Sequence, residues 1–320
     1  MNKLSLYKEM FRIRKVEEEI AERYKQNKMR CPTHLSIGQE ATPTAVSYYL
    51  NKNDFVVSTH RGHAHYLAKG GNLKKMISEI YGKKTGCSGG KGGSMHLIDL
   101  EQGFMGTSAI VGNSIPIGVG LGFSQYLKKT TNISCIYLGD GAIEEGAFYE
   151  SANFAALKKL PILFICENNL YSVYSPLSVR QPSGRSIAKM VSEIGINSIG
   201  ELDGNDISQC CNILRKVIKS IREGSGPYFL EFKTYRWREH CGPNYDNNLG
   251  YRDIAEFEEW KSRDPILKLK NEILLEDNKS KDKIIKLEKL IQNEITEAFE
   301  YAEKSPFPDQ KDMYEGVYAE

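Results

Sequence analysis

The chain has 320 residues, and its 43 basic and 41 acidic residues give a formal net charge of +2. This length accommodates one large α/β domain or two smaller ones, and the near-balanced charge gives no general attraction to nucleic acid or to an anionic membrane. An odd number of cysteines, seven, without metal-ligand spacing favours reduced thiols over a disulfide framework. Residues 1–14 lack the apolar centre of a signal peptide, and no apolar run approaches the roughly 18 residues that span a bilayer. We therefore expect a cytoplasmic protein.

Hydrophobic periodicity predicts mainly helices in the first third of the chain. Apolar residues recur every three or four positions over 4–27, which predicts an amphipathic helix. The segment 86–94 contains five glycines and is predicted to be a loop. The other elements predicted in this part are helices over 38–50, 73–81 and 112–127 and a short strand over 53–58.

The middle of the chain predicts a βαβ unit, with a strand over 133–138, a helix over 144–158 and a strand over 162–166. The length of this crossover requires parallel pairing of the two strands. The remaining predictions are irregular loops over 171–186 and 237–251, a helix over 207–221, a strand over 227–232, and two helices within 265–303 that are broken near Asp277-Asn278. This alternation predicts an α/β fold, with a mostly parallel sheet, helices on both faces, and ligands at the carboxyl ends of the strands.

Two polar turns follow the predicted strands of this βαβ unit. Gly139-Asp140-Gly141 ends the first strand, and Asn168-Asn169 follows the second. Alone, Gly-Asp-Gly is most simply a tight turn. Together, with a separation of 29 positions between Asp140 and Asn169, the two turns resemble the signature of thiamine diphosphate sites. The resemblance implies a metal there, because a carboxylate beside a phosphate needs a divalent cation between them and Mg²⁺ prefers such hard oxygen ligands. The glycines would allow the backbone to approach the ligand closely.

Nucleotide-binding motifs explain the glycines less well. Gly139-Asp140-Gly141 would begin a dinucleotide fingerprint, but Glu144 stands where the third glycine belongs. The loop around Lys91 nearly matches a Walker A motif, but Thr85 replaces its first glycine and Gly92 replaces the Ser or Thr that binds Mg²⁺.

Three of the six histidines lie in the segment His60-Arg61-Gly62-His63-Ala64-His65. A zinc site is one interpretation, but no cysteine or carboxylate stands near at metal-ligand spacing. The position after a predicted strand favours anion recognition, with a bidentate contact from Arg61 to a phosphate and one or two imidazoles as further donors. A solvated loop is the alternative. His34 and His240 lie alone on loops, where composition does not separate a catalytic histidine from an exposed one.

With these segments assembled, the chain resembles the alpha subunits of the thiamine-dependent 2-oxo acid dehydrogenases, the decarboxylating components of the pyruvate, branched-chain and acetoin complexes. The likeness covers nearly all of the chain. It rests on Leu35–Ala41, Ser58–Gly70, Gly89–His96, Ala109–Gly112, Gly139–Gly146, Leu160–Tyr171, Thr234–Arg236 with His240, Asp264-Pro265, and the tail from Asp312 to Tyr318. The segment with the three histidines is most similar to acetoin-type and bacterial pyruvate-type subunits.

The resemblance implies the thiamine diphosphate-binding fold over a single domain, residues 1–320. Its expected parts are an N-terminal helical arm (1–30), an α/β core (31–236), an active-site loop (237–251) and a C-terminal helical region (252–320).

The resemblance also implies roles for individual residues. The expected Mg²⁺ ligands are the side chains of Asp140 and Asn169 and the carbonyl of Tyr171. The other expected contacts to thiamine diphosphate come from His60, Arg61, Ala109, Val111, Gly139, Gly141, Ala142 and His240. The expected catalytic residues are His34, His63 and His240, because histidine suits proton transfer near neutral pH.

The family further implies a beta subunit, an α2β2 heterotetramer, a small 2-oxo acid substrate, and transfer of the acyl unit to a lipoyl acyltransferase core. The chain departs from the family pattern at Ile143, Glu144, Leu170 and Glu239. These departures leave the cofactor residues in place and leave a second activity open. In that alternative, a heteromeric thiamine-dependent carboligase adds the decarboxylated acyl unit to a carbonyl acceptor without lipoyl transfer.

Overall fold

The computed structural model describes residues 1–277, 279–315 and 318, and its centre is a six-stranded parallel sheet. In chain order the strands are β1 (Phe55–Ser58), β2 (Phe104–Thr107), β3 (Ser134–Gly139), β4 (Ile162–Asn168), β5 (Tyr171–Ser172), β6 (Ser175–Pro176), β7 (Asn197–Asp203) and β8 (Tyr228–Lys233). The main sheet has the order β2-β1-β3-β4-β8-β7, and each neighbouring pair in it is parallel. Strands β5 and β6 form a separate antiparallel hairpin.

Helices surround this sheet. They are α1 (Lys3–Tyr24), α2 (Ala41–Tyr49), α3 (His63–Ala68), α4 (Leu73–Ile80), α5 (Ser114–Leu127), α6 (Gly146–Leu157), α7 (Leu177–Arg180), α8 (Ile187–Glu193), α9 (Ile207–Arg222), α10 (Ile254–Ser262), α11 (Pro265–Glu276) and α12 (Ser280–Lys304). None of the helices within the described residues is both long enough and apolar enough to cross a membrane.

The two faces of the sheet carry separate hydrophobic cores. On β3, Cys135 and Tyr137 join the core that includes α1, α2, α4, α9 and α10 to α12, whereas Ile136 and Leu138 join the core under α5, α6 and α8. Every residue of β4 is buried, as expected of a central parallel strand that is covered on both faces. The predicted α/β fold with helices on both faces is therefore confirmed.

The topology determines where a ligand can bind. The chain passes from β1 outward to β2 and then returns to β3 on the other side of β1. This reversal leaves a crevice beyond the carboxyl ends of β1 and β3, which is the usual ligand position in an open parallel sheet. Both polar turns predicted from the sequence, after β3 and after β4, lie at this edge.

The structure also contains elements that the periodicity did not predict. They are β2, β7, α3, α8, α10 and, inside the loop predicted over 171–186, the hairpin β5–β6 and the single turn α7. Strand β7 was missed because its residues, NSIGELD, include a glycine and two acidic residues and alternate poorly. The predicted break near Asp277 is present between α11 and α12, although Asn278 itself, like Val317 of the tail, lies outside the described residues.

Candidate functional site

A pocket lies at the carboxyl ends of β1, β3 and β4, in the crevice where the strand order reverses. Of the residues that the sequence assigned to a site, the following line it: His60, Arg61, Val111, Gly139, Asp140, Gly141, Ala142, Asn169, Tyr171 and His240. His34, His63 and Ala109 are not among its lining residues. Since the lining comes from segments far apart in the chain, the fold assembles a site that no single motif contains.

Asp140 is the carboxylate of this pocket. It opens a short 3-10 helix, Asp140–Glu144, directly after β3, and it is only 2% exposed. Burial raises the pKa of Asp140, and the guanidinium of Arg180, which donates a hydrogen bond to its Oδ2, opposes that rise. Ile143 of the same turn is buried in the core beneath it, which accounts for one departure from the family pattern.

Asn169 lines the same pocket as Asp140, from the end of the neighbouring strand. Its Oδ1 accepts a hydrogen bond from the backbone N–H of Tyr171 at 3.3 Å, and its Nδ2 donates to Oε1 of Gln39 at 3.4 Å. The intervening Leu170 has a φ of 72°, in the left-handed region, where a non-glycine residue costs about 1–2 kcal/mol. The turn thus maintains a strained residue between two residues that line the pocket, Asn169 and Tyr171, and such strain is typical of functional sites.

Two imidazoles, those of His60 and His240, and the guanidinium of Arg61 form the opposite wall, and the imidazole of His34 packs behind the two rings. The ring centroid of His34 lies 4.7 Å from that of His60 and 5.0 Å from that of His240. Nη1 of Arg61 donates to the carbonyl of Leu35 at 2.7 Å, and its Nη2 donates to the carbonyl of His240 at 3.1 Å. These contacts fix a positive charge beside the three rings.

The histidine cluster is held in its neutral form. Burial, reinforced by the charge of Arg61, lowers the pKa of His60 to about 4 and that of His240 to about 3. The same causes lower the pKa of His34 to about 2. Neutral imidazoles could also ligate a metal, and their nitrogen atoms lie within 4.8 Å of one another. However, Nη2 of Arg61 is only 3.2 Å from Nδ1 of His240, so this wall repels cations and suits an anion.

Buried ion pairs and hydrogen bonds hold the loop that carries His240. Asp246, which is 1% exposed, lies between the guanidinium groups of Arg236, at 3.3 Å, and Arg252. Arg236 also donates to the carbonyl of Val173, which ties this loop to the hairpin β5–β6. Glu239 accepts a hydrogen bond from the N–H of Asn244 at 2.8 Å and closes a turn around His240, so this departure from the family pattern has a local structural role.

The other histidines of the His60–His65 segment do not line the pocket. His63 and His65 lie on α3 and are buried. Nε2 of His63 is 2.7 Å from Oγ of Ser94, and its Nδ1 is 3.3 Å from a carboxylate oxygen of Glu17. Neither a solvated loop nor a zinc site describes this segment, because a helix begins at His63 and directs only His60 and Arg61 towards the ligand side.

Sequence reasoning missed four polar residues around the pocket: Gln39, Glu167, Arg180 and Ser172. Nε2 of Gln39 and Oε1 of Glu167 line the pocket region, are buried, and have no hydrogen-bond partner within the described residues. Since buried polar atoms are nearly always paired, these two are open to a ligand. For Gln39 and Glu167, the only sequence signal was their position inside segments that carried the family resemblance.

The glycine-rich loop over 86–94 lies elsewhere. It wraps around the side chain of Glu79, which is fully buried at the end of α4. The carboxylate of Glu79 accepts four backbone N–H groups, from Ser88, Gly90, Gly92 and Gly93, at 2.7–3.0 Å. Lys91 points outward and donates to the carbonyl of Glu315. This loop therefore encloses the chain's own carboxylate and leaves no place for a nucleotide phosphate.

Comparisons with known proteins agree with this geometry. The model of the family described as "Dehydrogenase E1 component" matches residues 8–311. A pyruvate dehydrogenase E1 component subunit alpha from Rickettsia felis is 38% identical over 98% of this chain and 94% of its own length. Similar relatives include that subunit from Porphyra purpurea, at 35% identity over 99% of this chain and 93% of its own length. The chloroplastic subunit alpha-3 of Arabidopsis thaliana is 36% identical over 99% of this chain and 74% of its own length.

Proposed function

The chain belongs to the dehydrogenase E1 component family, and on that premise we propose that it is the alpha subunit of a thiamine diphosphate-dependent pyruvate dehydrogenase. The relatives that match nearly the whole chain are named for this activity. They favour transfer of the acyl unit within a multienzyme complex over the carboligase alternative. When bound, the thiazolium ring of the cofactor supplies the electron sink for decarboxylation of a 2-oxo acid.

The residues after β3 and β4 fit a magnesium diphosphate. Asp140, Asn169 and the carbonyl of Tyr171 offer the mixed oxygen ligands that Mg²⁺ accepts alongside phosphate and water. A Cβ added at Gly139 would meet nothing within 4 Å, so the backbone there borders open pocket space that a phosphate can approach. We propose that these three residues hold the metal and that Gly139, Gly141 and Ala142 lie along the diphosphate.

The opposite wall would bind the negative charge of the diphosphate. Neutral His60 and His240 each have a ring N–H to donate, and Arg61 contributes a fixed positive charge. His34 packs behind both rings and is 7% exposed, with an unpaired Nδ1 among the described residues. We assign His60, Arg61 and His240 to the diphosphate and keep His34 and His240 as candidates for proton transfer, whereas His63, buried against Ser94, is assigned a positioning role.

The mouth of the pocket supports a partner subunit. Val111, whose carbonyl is the expected acceptor for the aminopyrimidine, is 51% exposed, and the adjacent Ile110 is 69% exposed. Ala109 lies beside them and is also exposed. Ile117, close to the start of α5, is a further exposed apolar residue at this end of the helix. We propose that a beta subunit covers this side and completes the site in an α2β2 assembly. We also propose that the chain forms a single domain with the four parts expected from the sequence.

The test is cofactor binding by the chain co-expressed with its beta subunit. Asp140→Asn removes the charge of the carboxylate with little change in shape, so we expect thiamine diphosphate affinity in the presence of Mg²⁺ to fall by about 100-fold or more. Asp282→Asn, on the exposed first turn of α12, is the matched control and should bind as the wild type does. Isothermal titration calorimetry measures both. Absence of binding by the wild-type complex would refute the assignment.

A further inference from the structure

Arg180 is the cation that pairs with Asp140, the carboxylate proposed above as a metal ligand. The residue ends α7, and its side chain is 11% exposed. One guanidinium nitrogen, Nη2, donates to Oδ2 of Asp140, and the other, Nη1, donates to Oε1 of Glu144 at 2.6 Å. Its Nε donates to the carbonyl of Ser175 at 3.1 Å. All three nitrogens of the guanidinium are therefore paired, and two of them bind carboxylates of the same turn.

From these contacts we propose that Arg180 is a cationic lock on the metal site: it neutralises Asp140 before the metal arrives and must release Asp140 when Mg²⁺ binds. The inference rests on the assignment of Asp140 as a metal ligand. A guanidinium and a magnesium ion cannot share one buried carboxylate oxygen, because two cations a few ångströms apart in a poorly solvated site repel strongly. Binding of the metal is thus an exchange of one cation for another.

Glu144 gives the displaced arginine a second partner. It is one of the residues at which this chain departs from the family pattern, and its side chain is 33% exposed, whereas that of Asp140 is 3% exposed. Release of Asp140 therefore leaves Arg180 in an ion pair at the rim and avoids a bare buried charge, which would be far more costly. Asp140, for its part, is never left unpaired, because Arg180 neutralises it until the metal does.

The segment that carries Arg180 contacts the same turn at a second point. A Cβ added at Gly141 would lie 2.6 Å from Oγ of Ser172 and 3.8 Å from Nη1 of Arg180. The hairpin β5–β6 and α7 are thus seated on the Gly139–Gly141 turn. Release of Arg180 changes the contacts of this segment at the moment the site fills.

The decisive measurement is the affinity for Mg²⁺, by calorimetry with the complex of this chain and its beta subunit at saturating thiamine diphosphate. Arg180→Gln removes the competing cation, so we expect Mg²⁺ to bind about 10-fold more tightly than to the wild type. Arg180→Lys keeps the charge and loses the two-pronged contact, so it should fall between the two. Glu144→Gln deprives the released arginine of its partner and should weaken Mg²⁺ binding a few-fold.

Arg185→Gln is the matched control. Arg185 lies on the same segment and loses the same charge, but its guanidinium contacts Tyr149 and Met190 and not Asp140. We expect its Mg²⁺ affinity to stay within about twofold of the wild type. Unchanged or weaker Mg²⁺ binding by Arg180→Gln, with wild-type thermal unfolding, would overturn the lock while leaving the proposed function intact. If neither the wild type nor Arg180→Gln binds metal and cofactor, the function itself is wrong.

Discussion

Two glycine-containing turns of this chain both allow close approach to the backbone, but they serve different purposes. The loop over 86–94 directs four N–H groups at one point, and that point is occupied by the carboxylate of Glu79. The turn from Gly139 to Ala142 stands at a strand end and borders an open pocket. The first is a filled anion nest and the second is a cradle open to a ligand.

The comparison separates what a glycine pattern predicts from what it does not. In both turns glycine permits close approach to the backbone, but the pattern does not identify what approaches. Gly90, with a φ of 79°, stands where a Cβ would lie 2.8 Å from the carbonyl carbon of Gly82. Gly139, with a φ of −89°, is in ordinary extended backbone with free space beside it. The first glycine is required by the fold and the second by the proposed ligand.

The largest effect on stability is expected from removing the carboxylate of Glu79 from the loop over 86–94. Glu79→Ala leaves four backbone N–H groups without their acceptor, so we expect the free energy of unfolding to fall by about 3–5 kcal/mol. Urea denaturation followed by circular dichroism measures this loss. Glu101→Ala, at an exposed position, is the control and should change stability by less than about 0.5 kcal/mol. A loss below about 1 kcal/mol for Glu79→Ala would mean that the loop does not depend on its carboxylate.

Alanine in place of one glycine of each turn sharpens the comparison. Gly90→Ala clashes with backbone and strains a positive φ, so it should cost about 2 kcal/mol or more of stability. Gly139→Ala should fold with wild-type stability and bind thiamine diphosphate about 10-fold more weakly, because its methyl group projects into the pocket. Each variant thus serves as the control for the other in unfolding and in calorimetry. Equal effects of the two variants on stability would show that the Gly139 turn is also structural.

The sequence predicted regular elements and strand-end residues well, but not the contacts that the fold makes between distant segments. The helices α1, α9 and α12 and the strands β3 and β4 were predicted because their burial pattern is periodic or continuous. The carboxylate and amide of the site were predicted because they directly follow β3 and β4. Arg180 was missed, since its pairing with Asp140 bridges forty positions through an irregular segment. The catalytic role expected of His63 came from the family resemblance alone and stays a prediction; in the structure this residue lies at the start of α3 and is fully buried.

The smallest effect concerns pH and the histidine wall of the open cradle. The folded pKa values of His60 and His240, about 4 and about 3, lie below the value of about 6.5 for an unfolded histidine. The unfolded chain therefore takes up protons first, so that stability is fully present above pH 6.5 and falls as the pH drops towards 4. Because both rings are only partly buried, solvent screening reduces this effect, and we expect a loss of about 0.5 kcal/mol per histidine per pH unit in this window.

His60→Gln should make this decline shallower in urea denaturation at pH 7, 6 and 5, because one of the depressed titrations is removed. His96→Gln is the control because this histidine is exposed and lies outside the pocket, so the pH dependence of the variant should match that of the wild type. Bound thiamine diphosphate should also flatten the decline, since an anion beside the rings raises their pKa values towards that of the unfolded chain. A steeper decline with the cofactor would mean that its diphosphate does not lie against these imidazoles, and the open cradle would then have to accept its anion on another wall.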